Sequence, residues 1–264
     1  MSSQPPGQIK ELTGWGRIYG LSDQKYHDWK LMALRETATD DSTVEQVLSH
    51  IRQGIISGFY PPDSKLLPKL IAERCGSSFI PVREALRVLE SEDFVTFLHN
   101  RGAWVTPLSM SDLEDLYMIR IELECEAVRH AEELTTGEIE YLEKLLSKSR
   151  ASHKRGDKAR VVAINRDFHF AIYSKSNSPR RLKLIDQLWK HSARYQRLSL
   201  NSRHDGADSE HHAIIDGLRE GDHRSAAKAL KLHLETTVSL ISEQINSALD
   251  SVKVKPKSAK RTRA

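Results

Sequence analysis

The chain has 264 residues, of which 39% are hydrophobic and 29% charged, a composition typical of a soluble globular protein with one large or two modest domains. The sequence contains two cysteines, Cys75 and Cys125, far apart in the chain, which argues against a disulfide framework and a cysteine zinc site. No apolar segment approaches membrane-spanning length, and the N-terminus lacks the apolar core of a signal peptide. We therefore expect a cytoplasmic protein with no membrane partner.

The positive charge is concentrated at the C-terminal end. The net charge is +4, yet residues 253–264 alone contain six lysines or arginines and no acid, so the rest of the chain has a net charge of about −2. We predict a basic disordered tail over residues 249–264 and an N-terminal extension of unassigned role over residues 1–40. Any nucleic-acid binding must then come from a local surface rather than from bulk charge.

Residues 41–107 have the pattern of three helices followed by a hairpin. Ser42 and Glu45 have the spacing of a capping box at the start of the first helix. A short helix is predicted over residues 68–75, and a third follows. After Glu92 the apolar period changes from 3.6 to 2, which predicts two strands joined by a turn that ends at Gly102. This order predicts a winged helix-turn-helix domain, whose third helix enters the major groove of DNA.

The third helix opens with the stretch SSFIPVREALRVLE at residues 77–90. Ser78 is expected to act as N-cap, and Pro81 is tolerated because amides of the first turn have no intrahelical partner. Arg83 and Arg87 lie on the face opposite the apolar stripe. Two interpretations are open for these arginines: they bridge to Glu84 or Glu90 on the surface, or they contact DNA, which the surrounding motif favours.

The predicted DNA-binding domain is not basic as a whole. Residues 41–107 contain seven lysines or arginines and eight acids. Because phosphate contacts supply most non-specific affinity, such a domain should bind weakly as a monomer and depend on a dimer.

Residues 108–248 are predicted to form a compact all-α bundle of six or seven helices. Ser111 and Glu114 have the spacing of a capping box at its first helix, and Thr135 and Glu138 mark a further helix start. Arg120 falls on the inward face of a helix over residues 112–133 and needs an anionic partner there, either Glu124 one turn on or a ligand. Asn165 and His169 lie one turn apart on another inward face. His211 and His233 lie on two more, and imidazoles suit zinc or nickel, although spacing alone does not establish that they meet.

Two segments, LIAERCGSSFIPVREALRVLE and NRGAWVTPLS, resemble the DNA-binding region of the gluconate-repressor (GntR) family of bacterial transcriptional regulators. Three more, NRDFH, EHHAII and AAKALKLHLE, resemble its fatty-acid-regulator-like (FCD) branch. The resemblance implies a mainly α protein with an N-terminal winged helix-turn-helix domain and a C-terminal FCD-type bundle. It also implies a cytoplasmic, nucleoid-associated homodimer.

The resemblance also implies roles for individual residues. By resemblance, the expected DNA-contacting residues are Lys69, Ser78, Arg83, His99, Asn100 and Arg101. Arg87 is added because it lies on the same helix face as Arg83, and Phe79 because it replaces an arginine of the family. The expected ligands of a zinc or nickel ion are Asn165, His169, His211 and His233. The expected effector-binding residues are Arg120, Arg194 and Tyr195.

Two functional hypotheses follow. The first is a transcriptional regulator, a repressor by the resemblance, whose binding to a palindromic DNA operator responds to a small carboxylate effector at the metal. The second is a metal-dependent hydrolase with a DNA-binding appendage, in which a metal-bound water is the nucleophile. The hydrolase needs a general base, and the nearest carboxylate in the motifs, Asp167, points away from the face of His169.

Overall fold

The structure is a computed structural model that describes residues 43–199 and 204–253, with side chains described over 43–197 and 206–247. The predicted extension over residues 1–40 lies outside these ranges, as do Ser42 and residues 254–264 of the predicted tail. The described chain falls into two compact units, the first within residues 1–107 and 245–264 and the second over residues 108–244.

The first unit is a winged helix-turn-helix fold, as the sequence predicts. Its elements in chain order are α1 (Thr43–Ile56), α2 (Pro68–Cys75), α3 (Phe79–Ser91), β1 (Val95–Leu98) and β2 (Gly102–Val105). The two strands pair antiparallel, with Val95 opposite Val105 and Leu98 opposite Gly102. The hairpin therefore follows the third helix directly and forms the wing.

An apolar core holds these elements together. The helices contribute the stripes predicted by the 3.6-residue period, and each strand contributes its inward residues. The core residues are Val47, Ile51, Ile55, Leu66, Ile71, Ala72, Val82, Ala85, Leu86, Leu89, Phe94, Val95, Ala103 and Val105. At the edge of this core, Arg52 of α1 donates to both carboxylate oxygens of Glu92, with Nη2–Oε1 and Nε–Oε2 distances of 2.9 and 3.1 Å. This ion pair fixes the end of α3 against α1.

The turn between α2 and α3 depends on a glycine. Gly76 has φ = 60°, in the left-handed region that side chains disfavour, and its N–H donates to the carbonyl of Ala72. This arrangement ends α2 sharply and lets α3 begin only three residues later.

The second unit contains six α-helices among the described residues. They are α4 (Met110–Arg129), α5 (Thr136–Lys154), α6 (Lys158–Tyr173), α7 (Pro179–Ser199), α8 (His204–Arg219) and α9 (His223–Lys253), with a 3₁₀ turn at Ser174–Ser176. An all-α bundle was the prediction for this region, and it is confirmed. The last helix continues to Lys253, so the segment 249–253 is helical where the sequence predicts the start of a disordered tail.

The helix starts agree with the sequence in one case and differ in another. Thr135 and Glu138 form a reciprocal capping box, in which the Glu138 N–H donates to Thr135 Oγ1 and the Thr135 N–H donates to Glu138 Oε2. The cap of α4 is Ser109, whose hydroxyl accepts from the Asp112 N–H, rather than the predicted Ser111. In the described ranges no helix has the length and apolar character needed to cross a membrane.

Candidate DNA interface and metal centre

Ser78 occupies the N-cap position of α3, but its side chain makes no capping hydrogen bond. An N-cap hydroxyl usually accepts from the amide of the second or third helical residue. The third residue here is Pro81, which has no N–H. The predicted position is therefore right and the predicted bond is absent, so the exposed hydroxyl is available to a phosphate together with the amides of the first turn.

The two arginines of α3 differ in their surroundings. Arg87 Nη1 donates to Glu90 Oε2 at 2.8 Å, and its guanidinium carbon lies 4.4 Å from the ring centroid of Phe97 in the wing. Arg83 is exposed and has no side-chain hydrogen bond or ion pair among the described residues. Of the two interpretations left open by the sequence, the surface bridge to Glu90 applies to Arg87, while Arg83 remains available for DNA.

The remaining predicted DNA contacts lie on exposed parts of the same unit. Lys69 is exposed in the first turn of α2, and Phe79 is exposed in the first turn of α3. His99, Asn100 and Arg101 form the exposed tip of the wing between the two strands.

The wing tip has a defined backbone. Asn100 has φ = 57° and Gly102 has φ = 83°, both in the left-handed region typical of tight hairpin loops. The Arg101 guanidinium carbon lies 5.1 Å from the ring centroid of Trp104, whose indole N–H donates to the Arg101 carbonyl at 3.3 Å. These contacts keep a positive charge at the tip of the wing.

The three predicted histidines of the helical unit meet. One nitrogen of each of His169, His211 and His233 lies within 4.8 Å of the corresponding atom of the other two, and all three residues are buried. The Nε2 atoms of His169 and His211 are 3.2 Å apart. Two imidazole nitrogens bound to one ion at zinc distances are separated by about 3.0–3.4 Å, so the existing separation fits a shared metal.

These histidines line a cavity of about 100 Å³ together with Asn165. Asn165 precedes His169 by one turn on α6, so its amide oxygen can serve as a fourth, neutral donor. The wall also includes Arg120 of α4, Trp189 of α7 and Thr237 of α9. Helices α4, α6, α7, α8 and α9 thus all contribute polar groups to this cavity.

Two further residues hold the imidazoles in place. The Tyr173 hydroxyl lies 3.1 Å from His169 Nδ1, and a carboxylate oxygen of Glu210 lies 2.8 Å from His233 Nδ1. A partner at Nδ1 fixes the tautomer that keeps the Nε2 lone pair for a metal. Neither residue is among the site residues predicted from the sequence, although each has a sequence cue: Tyr173 follows His169 by one turn, and Glu210 directly precedes His211.

Arg120 is completely buried and has two kinds of neighbour. Its Nε donates to Glu124 Oε1 at 2.6 Å, and its guanidinium carbon lies 4.6 Å from the ring centroids of both Tyr117 and Trp189. Its Nη1 has no hydrogen-bond partner, nor has Nε1 of Trp189, among the described residues. The internal ion pair predicted as one alternative is therefore present, and two buried donors on the cavity wall remain without a protein acceptor.

Glu124 affects the pKa values of two buried neighbours, Arg120 and Tyr173. Burial on its own disfavours the charged guanidinium, but Glu124 holds the pKa of Arg120 above its ordinary value. Burial, followed by the charge of Glu124, raises the pKa of Tyr173 well above its ordinary value. The Tyr173 hydroxyl therefore stays protonated and donates to Glu124 Oε2 at 2.5 Å.

Two expected effector-binding residues lie elsewhere. The α7 wall of the cavity is formed by Trp189 and Gln196, not by Arg194 or Tyr195. The Tyr195 hydroxyl donates to Asp112 Oδ2 at 2.5 Å and accepts from the Ser109 N–H at 3.1 Å, at the start of α4. Because Trp189 and Gln196 are two turns apart on one helix face, the residues just before Gln196 point to other sides.

Two families match the chain. Residues 43–105 match the bacterial regulatory proteins of the gntR family, and residues 115–236 match the FCD domain. The first match includes all the predicted DNA-contacting residues, and the second includes all the predicted metal ligands.

Several known proteins are similar over most of the chain. The HTH-type transcriptional regulator McbR of Escherichia coli K12 is 28% identical over 206 residues, covering 76% of this chain and 93% of that protein. The HTH-type transcriptional repressor GlaR of the same organism is 26% identical, covering 73% of this chain and 93% of that protein.

Solved structures agree with these matches. The structure of E. coli McbR has a TM-score of 0.68 and 27% identity, covering 78% of this chain and all of that one. A GntR regulator from Rhodococcus sp. RHA1 has a TM-score of 0.67 and 25% identity, covering 77% of this chain and 99% of that one.

The winged unit and the helical unit define a two-domain transcriptional regulator. The chain belongs to the GntR family and has an FCD domain. It is a DNA-binding regulator and not an enzyme, since both domains are regulatory and its relatives are named as transcriptional regulators. The alternative of a metal-dependent hydrolase has no support in these comparisons.

Proposed function

We propose that this regulator senses a small carboxylate at a divalent metal ion held in its helical unit, and that binding of the carboxylate changes the affinity of the regulator for a palindromic DNA operator. The observation that supports the proposal most strongly is that groups suited to a metal and a group suited to a carboxylate line the same cavity. Three buried imidazoles converge there, and Arg120 lines the same wall with an unpartnered Nη1.

The donor set favours a borderline transition metal. Three imidazoles and an amide oxygen suit zinc or nickel, whereas calcium and magnesium prefer an all-oxygen environment. His169, His211, His233 and Asn165 would hold the ion, which would supply a positive charge that attracts one oxygen of an anionic effector. With Asn165 as the fourth ligand, none of the four proposed ligands is a carboxylate, so the ion would keep more of its positive charge toward that effector.

The hydrogen-bond donors of Arg120 and Trp189 on the cavity wall favour a carboxylate as the effector. Arg120 Nη1 and Trp189 Nε1 are buried donors without a protein acceptor, and burial of such groups is costly unless a ligand completes them. A carboxylate supplies several acceptor lone pairs and the negative charge that an arginine binds best. The cavity of about 100 Å³ suits a small effector.

A homodimer and a repressor role complete the proposal. The winged unit needs a second copy for firm binding because its acids outnumber its basic residues. On the helical unit, the packed helices α4 and α7 expose Met118, Ile119 and Leu184, which are 60%, 40% and 49% exposed. Apolar side chains of this kind are suited to an interface between two copies. The repressor role rests on similarity to GlaR, which is named a repressor.

The proposal can be tested in two stages. Metal content is measured in protein purified without chelator, and a DNA fragment selected by the protein is then used in gel shifts with a panel of small di- and hydroxycarboxylates. We expect about one zinc or nickel ion per chain and at least one carboxylate that changes DNA affinity only when metal is present. The proposal would be contradicted if the purified protein lacked metal. It would also be contradicted if a carboxylate changed DNA binding equally in the metal-bound and the metal-free protein.

A further inference from the structure

The first turn of the recognition helix exposes two large apolar side chains. Phe79 is 54% exposed and Ile80 is 69% exposed. The same helix buries Val82, Ala85, Leu86 and Leu89 in the core on its other side. Phe79 and Ile80 are therefore not part of the apolar stripe that packs the domain, and their exposure needs a different explanation.

Both side chains lie beside the arginine that is available for DNA. Phe79 precedes Arg83 by four residues and Ile80 precedes it by three, and residues at these spacings are neighbours on a helix surface. The N-terminal residues of a recognition helix contact base edges when the helix enters the major groove. The apolar pair thus occupies the part of α3 that approaches the bases most closely.

The major groove offers one apolar group for such a pair. Of the four bases, only thymine presents a methyl group there, while the other edges present hydrogen-bond donors and acceptors. The surroundings favour DNA as the occupant because Lys69, Arg83 and Arg101 are exposed cations on the same unit. The N-terminus of α3 adds the exposed hydroxyl of Ser78.

We infer that Phe79 and Ile80 form an apolar reading surface for thymine methyl groups, so that the operator half-site contains thymines that are recognised by their methyls. This inference rests on the DNA-binding function and is independent of the metal and the effector. Phe79 and Ile80 then determine the preference for DNA sequence, whereas the cations and amides around them bind the DNA backbone.

The test uses the full chain and a duplex obtained by repeated selection from random DNA. Each thymine of the selected half-site is replaced in turn by deoxyuridine, which removes the methyl and keeps every hydrogen-bonding group. We expect at least one replacement to weaken binding of the unaltered protein by about fourfold, the factor expected for losing the burial of one methyl group. Binding of a Phe79→Ala/Ile80→Ala variant should then be insensitive to the same replacement.

A matched control lies on the same helix. Val88 is 37% exposed on α3 but two turns further from its N-terminus, so Val88→Ala should retain full sensitivity to deoxyuridine. Full affinity of the unaltered protein for every deoxyuridine duplex would overturn the inference, and this measurement does not depend on a variant that folds. A double variant that still discriminates thymine from deoxyuridine would also overturn it. So would a double variant that loses self-association in the absence of DNA, since the pair would then belong to a protein interface.

Discussion

The hydroxyl of Tyr173 lies 3.1 Å from Nδ1 of His169, one helical turn earlier on α6. Because the same hydroxyl donates to Glu124 at 2.5 Å, its lone pair is left to accept the Nδ1–H of His169. Glu124 in turn pairs with Arg120. A continuous line of polar contacts therefore joins the arginine proposed for the effector to an imidazole proposed for the metal.

Removal of the Tyr173 hydroxyl should weaken metal binding. In Tyr173→Phe the ring keeps its packing, but His169 loses the acceptor that fixes its tautomer. Loss of such an outer partner typically lowers metal affinity by about 10- to 100-fold, which a competition titration with a chromophoric chelator would measure. Tyr141→Phe is the matched control, since Tyr141 is 48% exposed on α5 and does not line the cavity. Equal affinities in the two variants would contradict the proposed role.

Removal of a predicted ligand should abolish the metal without affecting the winged unit. We expect His169→Ala and His233→Ala to contain little or no metal after purification, while metal-free DNA binding matches that of metal-free unaltered protein. His212→Ala serves as the control, because His212 neighbours a ligand in sequence yet its Nδ1 contacts the Asp208 carbonyl at 2.7 Å. Undiminished metal content in either ligand variant would rule out the assigned site.

Much of the fold follows from periodicity alone. The change from a 3.6-residue to a 2-residue period after Glu92 predicts the wing, and the stripes of α1 and α3 predict the core that forms. The basis is physical: each element must bury one face, and the spacing of apolar residues shows which face. The cap of α4 was misplaced because Ser109 and Ser111 both have a suitable residue three positions later, and the sequence cannot rank them.

The candidate site was only partly predictable. His169, His211 and His233 were found because each is a polar residue on an apolar stripe. Their convergence depends on how separate helices pack, which no local spacing specifies. Tyr195 does not line the cavity, for a related reason: its hydroxyl donates to Asp112 at the start of another helix, a long-range contact with no sequence signature.

Replacement of the neutral fourth ligand by an acid should strengthen the metal site. Asn165→Asp adds a negative charge to a set of three neutral imidazoles, so we expect tighter binding of zinc and a lower net attraction for an anionic effector. Chelator competition would measure the first effect and a gel-shift titration with effector the second. Asn246→Asp makes the same charge change at an exposed position on α9 and should alter neither quantity. Metal affinity in Asn165→Asp that is unchanged, as in the control, would indicate that this residue is not a ligand.

The two arginines of α3 should differ in their effect on DNA binding. Arg83→Ala is expected to weaken operator binding by about 1–3 kcal/mol if the side chain contacts a base edge. Arg87→Ala should have a smaller effect on DNA, because its guanidinium already pairs with Glu90 and stacks on Phe97. The measurement is a fluorescence-anisotropy titration at fixed salt, with thermal unfolding to check that both variants fold. A larger loss in Arg87→Ala would reverse the assignment.

Arg120 should govern the response to the effector without holding the metal. Arg120→Lys keeps a positive charge beside Glu124, which avoids the large destabilisation expected when one member of a buried ion pair is removed. Lysine has a single side-chain nitrogen, so the variant has no counterpart of Arg120 Nη1, the nitrogen without a protein acceptor. A lost hydrogen bond to a charged group is worth about 1.5–3 kcal/mol, so the effector concentration for half-maximal change in DNA binding should rise by about 10- to 150-fold.

The metal content and metal-free DNA affinity of Arg120→Lys should match those of the unaltered protein, which separates effector binding from loss of the fold. Arg166→Lys provides the control, since Arg166 pairs with Asp186 on the surface of the helical unit. An unchanged effector titration in Arg120→Lys would show that the carboxylate is held by other groups. Loss of metal in that variant would instead show that the polar line from Arg120 through Glu124 and Tyr173 acts on the metal rather than on the effector.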